Sequence, residues 1–135
     1  MVREVCKDID VLQEPSRPAV KKDLRLVKDM IDTLNAHEEC LGLAADIIGE
    51  NVCILVVRRG NDPLVMCNPK ILDGKELVET QEGCLSHSGF KKANRFMRIE
   101  VEYRDKNWKK QKKIFTSMQA GVIQHEMDHM KGILI

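Results

Sequence analysis

Gln124-His125-Glu126-Met127-Asp128-His129 reads as one face of a helix, and the rest of the chain can be placed around it. Residues four apart share a helix face, so His125 and His129 point the same way. Both imidazoles can then reach one divalent ion, with Glu126 directed at the water that such an ion activates. The helix extends back through Met118, Val122 and Ile123 and forward to Met130. Thr116 or Ser117 is placed to cap it, and Gly132 to stop it. This is the layout of a metal-dependent hydrolase. An ion-pairing glutamate between two incidental histidines on a solvated helix has the same pattern, so the surrounding sequence has to decide.

Upstream, Met97-Arg98-Ile99-Glu100-Val101-Glu102-Tyr103-Arg104 alternates apolar and charged residues, the signature of a strand with one wet face. Asp105-Lys106-Asn107 turns it into a partner from Trp108 to Phe115, an antiparallel hairpin. Val52 to Val57 reads as a buried strand, Gly60-Asn61-Asp62-Pro63 as a turn, and Leu64 to Cys67 as a short strand closed by Asn68-Pro69. Asp73-Gly74 signals another turn, with a short strand over Glu76 to Gln81. Gly42-Leu43-Ala44-Ala45 lets backbones approach closely and ends in a turn at Gly49. Nearer the start, Ser16-Arg17-Pro18 begins a helix whose Val20, Leu24, Val27, Ile31 and Leu34 form one apolar stripe over about five turns. The order helix, strands, helix predicts an α+β fold: short antiparallel sheets packed around a central metal-motif helix, with an N-terminal amphipathic helix.

Composition narrows the function classes. The 135 residues fit one domain, 1–135, with a core that needs no disulfides. Twenty-two Lys and Arg against 21 Asp and Glu give a net charge of +1, so no global field favours nucleic acid or an anionic membrane. The lysines from Lys106 to Lys113 read as a solvated strand edge. Five cysteines, an odd number without a CxxC pair, point to a reducing compartment, the cytoplasm. The N-terminal residues lack an apolar core of signal-peptide length, and the longest apolar run, Val52 to Val57, is too short to span a bilayer.

A catalytic site of the predicted kind needs a third protein ligand. The six residues after His129 include no Cys, His, Asp or Glu, so that ligand lies upstream. His37, His87, the five cysteines and many carboxylates are available. Glu82-Gly83-Cys84-Leu85-Ser86 is the compact stretch in which Gly83 permits a sharp bend and Cys84 can present its sulfur beside backbone N–H groups. Cys53 and Cys67, inside apolar strands, read as small buried hydrophobes. His87 is the rival to Cys84. A thiolate with two imidazoles suits Zn2+, Fe2+, Co2+ or Ni2+.

Gly42-Leu43-Ala44-Ala45, Glu82-Gly83-Cys84-Leu85-Ser86 and Gln124-His125-Glu126-Met127-Asp128-His129, in this order and at these separations, resemble the three motifs of peptide deformylases. The resemblance implies a hydrolase of protein biosynthesis that removes the N-formyl group from the initiator methionine of nascent polypeptides and releases formate. It implies Cys84, His125 and His129 as metal ligands, Glu126 as catalytic acid and base, and the backbone N–H of Leu85 as an oxyanion donor. It also implies Fe2+ in the cell, with Zn2+, Ni2+ or Co2+ as replacements on purification, and work in proximity to the ribosome. A substrate pocket is expected from Gly42, Leu43, Ala44, Leu85 and Ile123, with Phe90 a further candidate and Val122 assigned to the core. The chain departs from the usual Gly-Leu-Ala-Ala-Pro-Gln-Ile-Gly of the first motif. Ile47 stands where a glutamine donates to the oxyanion, and loss of one such donor costs about a hundred- to thousandfold in rate. His87-Ser88-Gly89 likewise replaces apolar-Pro-Gly. The readings, in order, are a deformylase, slower unless Gln81 or His87 replaces the donor; a metallohydrolase of another N-acyl or amide substrate; and a metal-retaining formyl-peptide binder without catalysis.

Overall fold

The computed structural model describes the chain apart from position 86 and the side chains of positions 87 and 88. Five antiparallel strands form one sheet in sequence order: β1 (Gly42–Ala44), β2 (Ile54–Val57), β3 (Leu64–Cys84), β4 (His87–Arg104) and β5 (Lys110–Thr116). Three α-helices accompany it, α1 (Ile9–Leu12), α2 (Val27–Asn35) and α3 (Ser117–Met130). The expected short sheets are therefore joined into one meander that folds over α3.

β2 explains how so small a chain holds two packed layers. Ile54 and Val56 face a core built with Leu26, Met30 and Leu34 from the N-terminal half. Leu55 and Val57 face a second core built with Met66, Ile99, Val101 and Phe115 from the sheet and Ala120, Ile123 and Met127 from α3. All four β2 side chains are buried, each worth roughly 1.5–3 kcal/mol of removal from water.

Three expectations are corrected. The stripe from Val20 to Leu34 is not one helix: residues 15–20 are mostly extended, Lys21–Leu26 is a 3-10 helix, and only Val27–Asn35 is α-helical. The cause is local. Asp23, 4% exposed, accepts both terminal nitrogens of Arg17 at 2.9 and 2.8 Å and the N–H of Val20 at 2.8 Å, which pins the entry and resets the phase. The fully buried positions become Leu26, Met30 and Leu34, while Val20 is left 55% exposed. Second, neither Asn68-Pro69 nor Asp73-Gly74 breaks the chain. Both lie at register shifts inside the 21-residue β3, with Asn68 in the left-handed region at φ 53°. Gly74 is there for space, since a Cβ would sit 2.6 Å from the Phe96 ring. Third, Thr116 precedes α3 without a side-chain cap. Gly132, at φ 77°, does follow its end, pressed against the Gln13 carbonyl, which a Cβ would approach to 2.2 Å.

The Asp23 cluster carries a pH signature. The Arg17 guanidinium holds the carboxyl at about 2, against 3.8 when unfolded. A depressed folded value means stability fully present above 3.8 and lost as pH falls through about 2. Asp23→Asn is expected to lower the thermal midpoint by about 5 °C near neutrality. That gap closes as pH falls through the same window in paired thermal melts; a gap of constant size across it would contradict the assignment.

Candidate active site

α3 brings the second half of the site to the sheet. Its Gln124 side chain accepts from the Phe96 N–H at 2.8 Å and donates to the Phe96 carbonyl at 2.7 Å, which locks the helix to β4. Gly42 on β1 lies against the same helix, where a Cβ would meet Val122 at 2.6 Å and Glu126 at 3.3 Å. With both sides fixed, His125, Glu126 and His129 are buried and turned toward the end of β3.

There the donor atoms of Cys84, His125 and His129 lie within 4.8 Å of one another. Cys84 Sγ is 3.3 Å from His129 Nε2, and the two Nε2 atoms are 3.2 Å apart. The edges of a tetrahedron with ordinary zinc–nitrogen and zinc–sulfur bond lengths are about 3.3 to 3.6 Å, which these two separations approach, and the donor set is one a divalent ion accepts. The rival His87 cannot be placed, because its side chain lies outside the described residues.

A carboxylate, itself held by a guanidinium, orients His125. His125 Nδ1 donates to Glu82 Oε1 at 2.7 Å, leaving Nε2 for the shared position. Glu82 also accepts from Thr80 at 2.7 Å and from Arg95 at 2.7 Å, and Arg95 continues to Asp128 at 2.7 Å. Burial raises the Glu82 carboxyl, but the hydrogen bonds from His125, Arg95 and Thr80 prevail and hold it at about 2. Burial also opposes charge on His125, yet Cys84, Glu82 and Glu126 overcome it and push the imidazole to about 10. Glu126 is pushed to about 7, chiefly by burial, with His125 and the Ala44 N–H pulling the other way.

A cleft of about 770 Å³ opens onto this group. Gly42, Leu43, Ile47 and Leu85 line it, as do Gln81, Phe90, Glu126 and Val122. Ala44 and Ile123, expected at the pocket, are not among the residues that line the cleft. Ala44 is fully buried, and Ile123 is fully buried in the α3 core. Val122, expected in the core, packs against the α3 core and also lines the cleft. Sequence reasoning assigned no role to Arg95, which is 6% exposed by side chain and 33 residues from its Asp128 partner.

A model of the polypeptide deformylase family matches residues 2–135. The chain is 46% identical to the peptide deformylase of Clostridium beijerinckii, over the whole of both chains. It superposes on the crystal structure of peptide deformylase from Thermotoga maritima with a TM-score of 0.89 and 30% identity, covering 99% of this chain and 95% of that one. The Met-Ala-Ser-bound class I type b peptide deformylase of Acinetobacter baumannii gives a TM-score of 0.89 and 27% identity, over 99% and 97%. With the family model spanning all but one residue and the site facing a cleft, the chain belongs to the peptide deformylase family, metal-dependent hydrolases that take the N-formyl group from nascent peptides.

Proposed function

We propose that residues 1–135 form one catalytic domain in which Cys84, His125 and His129 hold the metal and Glu126 moves the proton. The close approach of three donors at the cleft floor is the observation that supports this most directly. Cys84, His125 and His129 would hold a divalent metal, which would supply carbonyl polarisation and a water of lowered pKa. Glu126, buried at the cleft beside the three donors, takes the proton of the attacking water and returns it to the departing amine, so that formamide and water become formate and a free N-terminus. The Leu85 N–H donates to the developing oxyanion. Glu82, fixed by Arg95 and Thr80, keeps His125 in the orientation the site needs. Fe2+ is the metal we assign in the cell, with Zn2+, Ni2+ or Co2+ equally compatible with the donor set.

The substrate is an N-formyl-methionyl peptide. A Met-Ala-Ser peptide occupies the Acinetobacter relative, and here the apolar wall of Val122, Leu43, Phe90 and Met97 suits a methionine side chain. We place the enzyme in the cytoplasm near the ribosome, in keeping with five free cysteines and no helix among the described residues long and apolar enough to cross a membrane. In this reading the formyl group enters the cleft beside Gly42 and Glu126, and a formyl-Met peptide should be cleaved at least tenfold faster than its acetyl counterpart, roughly the discrimination one methyl group allows. Equal rates for the two would favour a broader N-acyl hydrolase.

Ile47 lines the cleft at the position of the usual glutamine and has no group to donate. Ile47→Gln is expected to raise kcat about tenfold with little change in KM, because a donor placed there acts in the transition state. Steady-state kinetics on the formyl peptide checks this. An unchanged kcat would mean another group, with Gln81 on the same cleft wall the first to test, already supplies the hydrogen bond.

A further inference from the structure

The far end of the sheet holds a second cavity, of about 110 Å³, between the β2–β3 connection and the β4–β5 turn. It shares no lining residue with the cleft, and the seven strand positions from Phe96 to Tyr103 separate the two by about 23 Å along β4. At about 30 Å³ for each water it has room for about three to four waters, the size of one tetrahedral oxyanion.

Its lining turns polar where the core closes. Val101 and Tyr103 belong to the core that packs against α3, and their register partners on β5 are Lys113 and Gln111. Strand alternation therefore sends a lysine and a glutamine to the core-facing side of the sheet. Gln111 donates to Asp105 Oδ2 at 2.9 Å, and the N–H groups of Asn107 and Lys109 donate to Asp105 Oδ1 at 2.9 and 3.0 Å. Lys113 has no ion pair among the described residues, and Arg59 and Lys106 reach the same cavity from the two connections. Asp62, outside the lining and 67% exposed, meets Arg59 at 3.5 Å and Lys106 at 3.3 Å, exposed pairs of the weakly held kind. Three cations thus face one carboxylate, Asp105, whose two oxygens are already occupied.

Tyr103 supplies the second observation. It is 3% exposed, with its ring against Phe115, and its hydroxyl has no hydrogen-bond partner among the described residues. That oxygen is not one of the unpaired polar atoms sealed from solvent, so it opens into the cavity that Tyr103 lines. A buried tyrosine hydroxyl ordinarily finds a partner. An inward lysine on an edge strand guards against pairing with another chain, which accounts for Lys113 but not for the hydroxyl or for two cations brought in by other segments.

We propose that this cavity is a phosphate-binding site, in which Arg59, Lys106 and Lys113 supply the charge and the Tyr103 hydroxyl donates to one phosphate oxygen. Guanidinium and ammonium donors match the oxygens of phosphate, and its double charge draws Arg59 and Lys106 away from Asp62. The cavity has no room for a base or a sugar as well. The group therefore enters alone, either as free phosphate or as the terminal phosphate of an RNA strand whose remainder lies outside.

Isothermal titration of the metal-loaded protein with inorganic phosphate, at an ionic strength held constant with chloride, tests this. Wild type is expected to show one such site per chain. Tyr103→Phe, which removes only the hydroxyl, should weaken binding about tenfold, the scale of one hydrogen bond to a charged group, and Lys113→Gln by at least as much. Lys112→Gln, on the opposite face of β5, should leave it unchanged. A second arm adds an RNA hexamer with a 5′-phosphate and the same hexamer ending in a hydroxyl. Competition by the phosphorylated strand alone assigns the site to an RNA end, and competition by neither assigns it to free phosphate. Phosphate binding that survives both Tyr103→Phe and Lys113→Gln, as binding at the metal would, overturns the proposal, and so does a wild type that binds none. Should one variant not fold, the other decides.

Discussion

Glu126→Ala is expected to lower kcat on a formyl-methionyl peptide by about three to four orders of magnitude while metal content and thermal midpoint stay near those of wild type. The size follows from what the residue does in the account. It is the one carboxylate of the metal motif that lines the cleft, 5% exposed, next in sequence to a ligand yet outside the set of three donors. Truncating it removes the group that takes the proton from water and the group that hands it to the amine, because they are the same group. It leaves the donors and their support from Glu82 in place. Metal analysis beside single-turnover formate release makes the comparison; a variant that keeps kcat within about tenfold would show that proton transfer runs through another residue.

Cys84→Ala is the second large effect and moves a different observable. Removing the sulfur leaves two imidazoles, a set too small to retain an ion against a chelator, so the variant is expected to purify with well under a tenth of the wild-type metal and to release no measurable formate. The coupling to protons sharpens this. Glu82 and Cys84 both favour a protonated His125, so metal uptake by wild type should release protons and weaken as pH is lowered, with the thiolate and imidazole ligands competing for both. Isothermal titration in buffers of different ionisation enthalpy reads that release. Full occupancy in Cys84→Ala would overturn the ligand assignment and return His87 to consideration.

How much of this the sequence disclosed depends on the range of the signal. The metal helix was legible because its information is local: residues four apart on one turn must share a face. Alternation from Met97 to Arg104 was legible for the same reason, with period two. The N-terminal helix was misread because its stripe persists through the 3-10 segment, while the Asp23 contacts that decide the conformation, to the Arg17 side chain and the Val20 backbone, leave no periodic trace. β3 was cut short because Asn68-Pro69 and Asp73-Gly74 are turn chemistry in a strand that uses them for register shifts. Pocket residues depend on helix rotation. Val122 and Ile123 are about 100° apart on the helix, and which of them faces the cleft is set by how Gln124 clamps α3 to β4. The Glu82, Arg95 and Asp128 network was out of reach altogether, since its members are separated by 13 and 33 residues and meet only through the hairpin.

The central claim is that the water-activating half of a deformylase is intact although Ile47 has replaced the oxyanion-binding glutamine. The direct measurement is formate release from formyl-Met-Ala-Ser by anaerobically prepared wild-type protein, titrated with Fe2+. The account predicts turnover that rises with added metal and levels off near one equivalent per chain. Folded protein carrying a full equivalent of metal and producing no formate would contradict it.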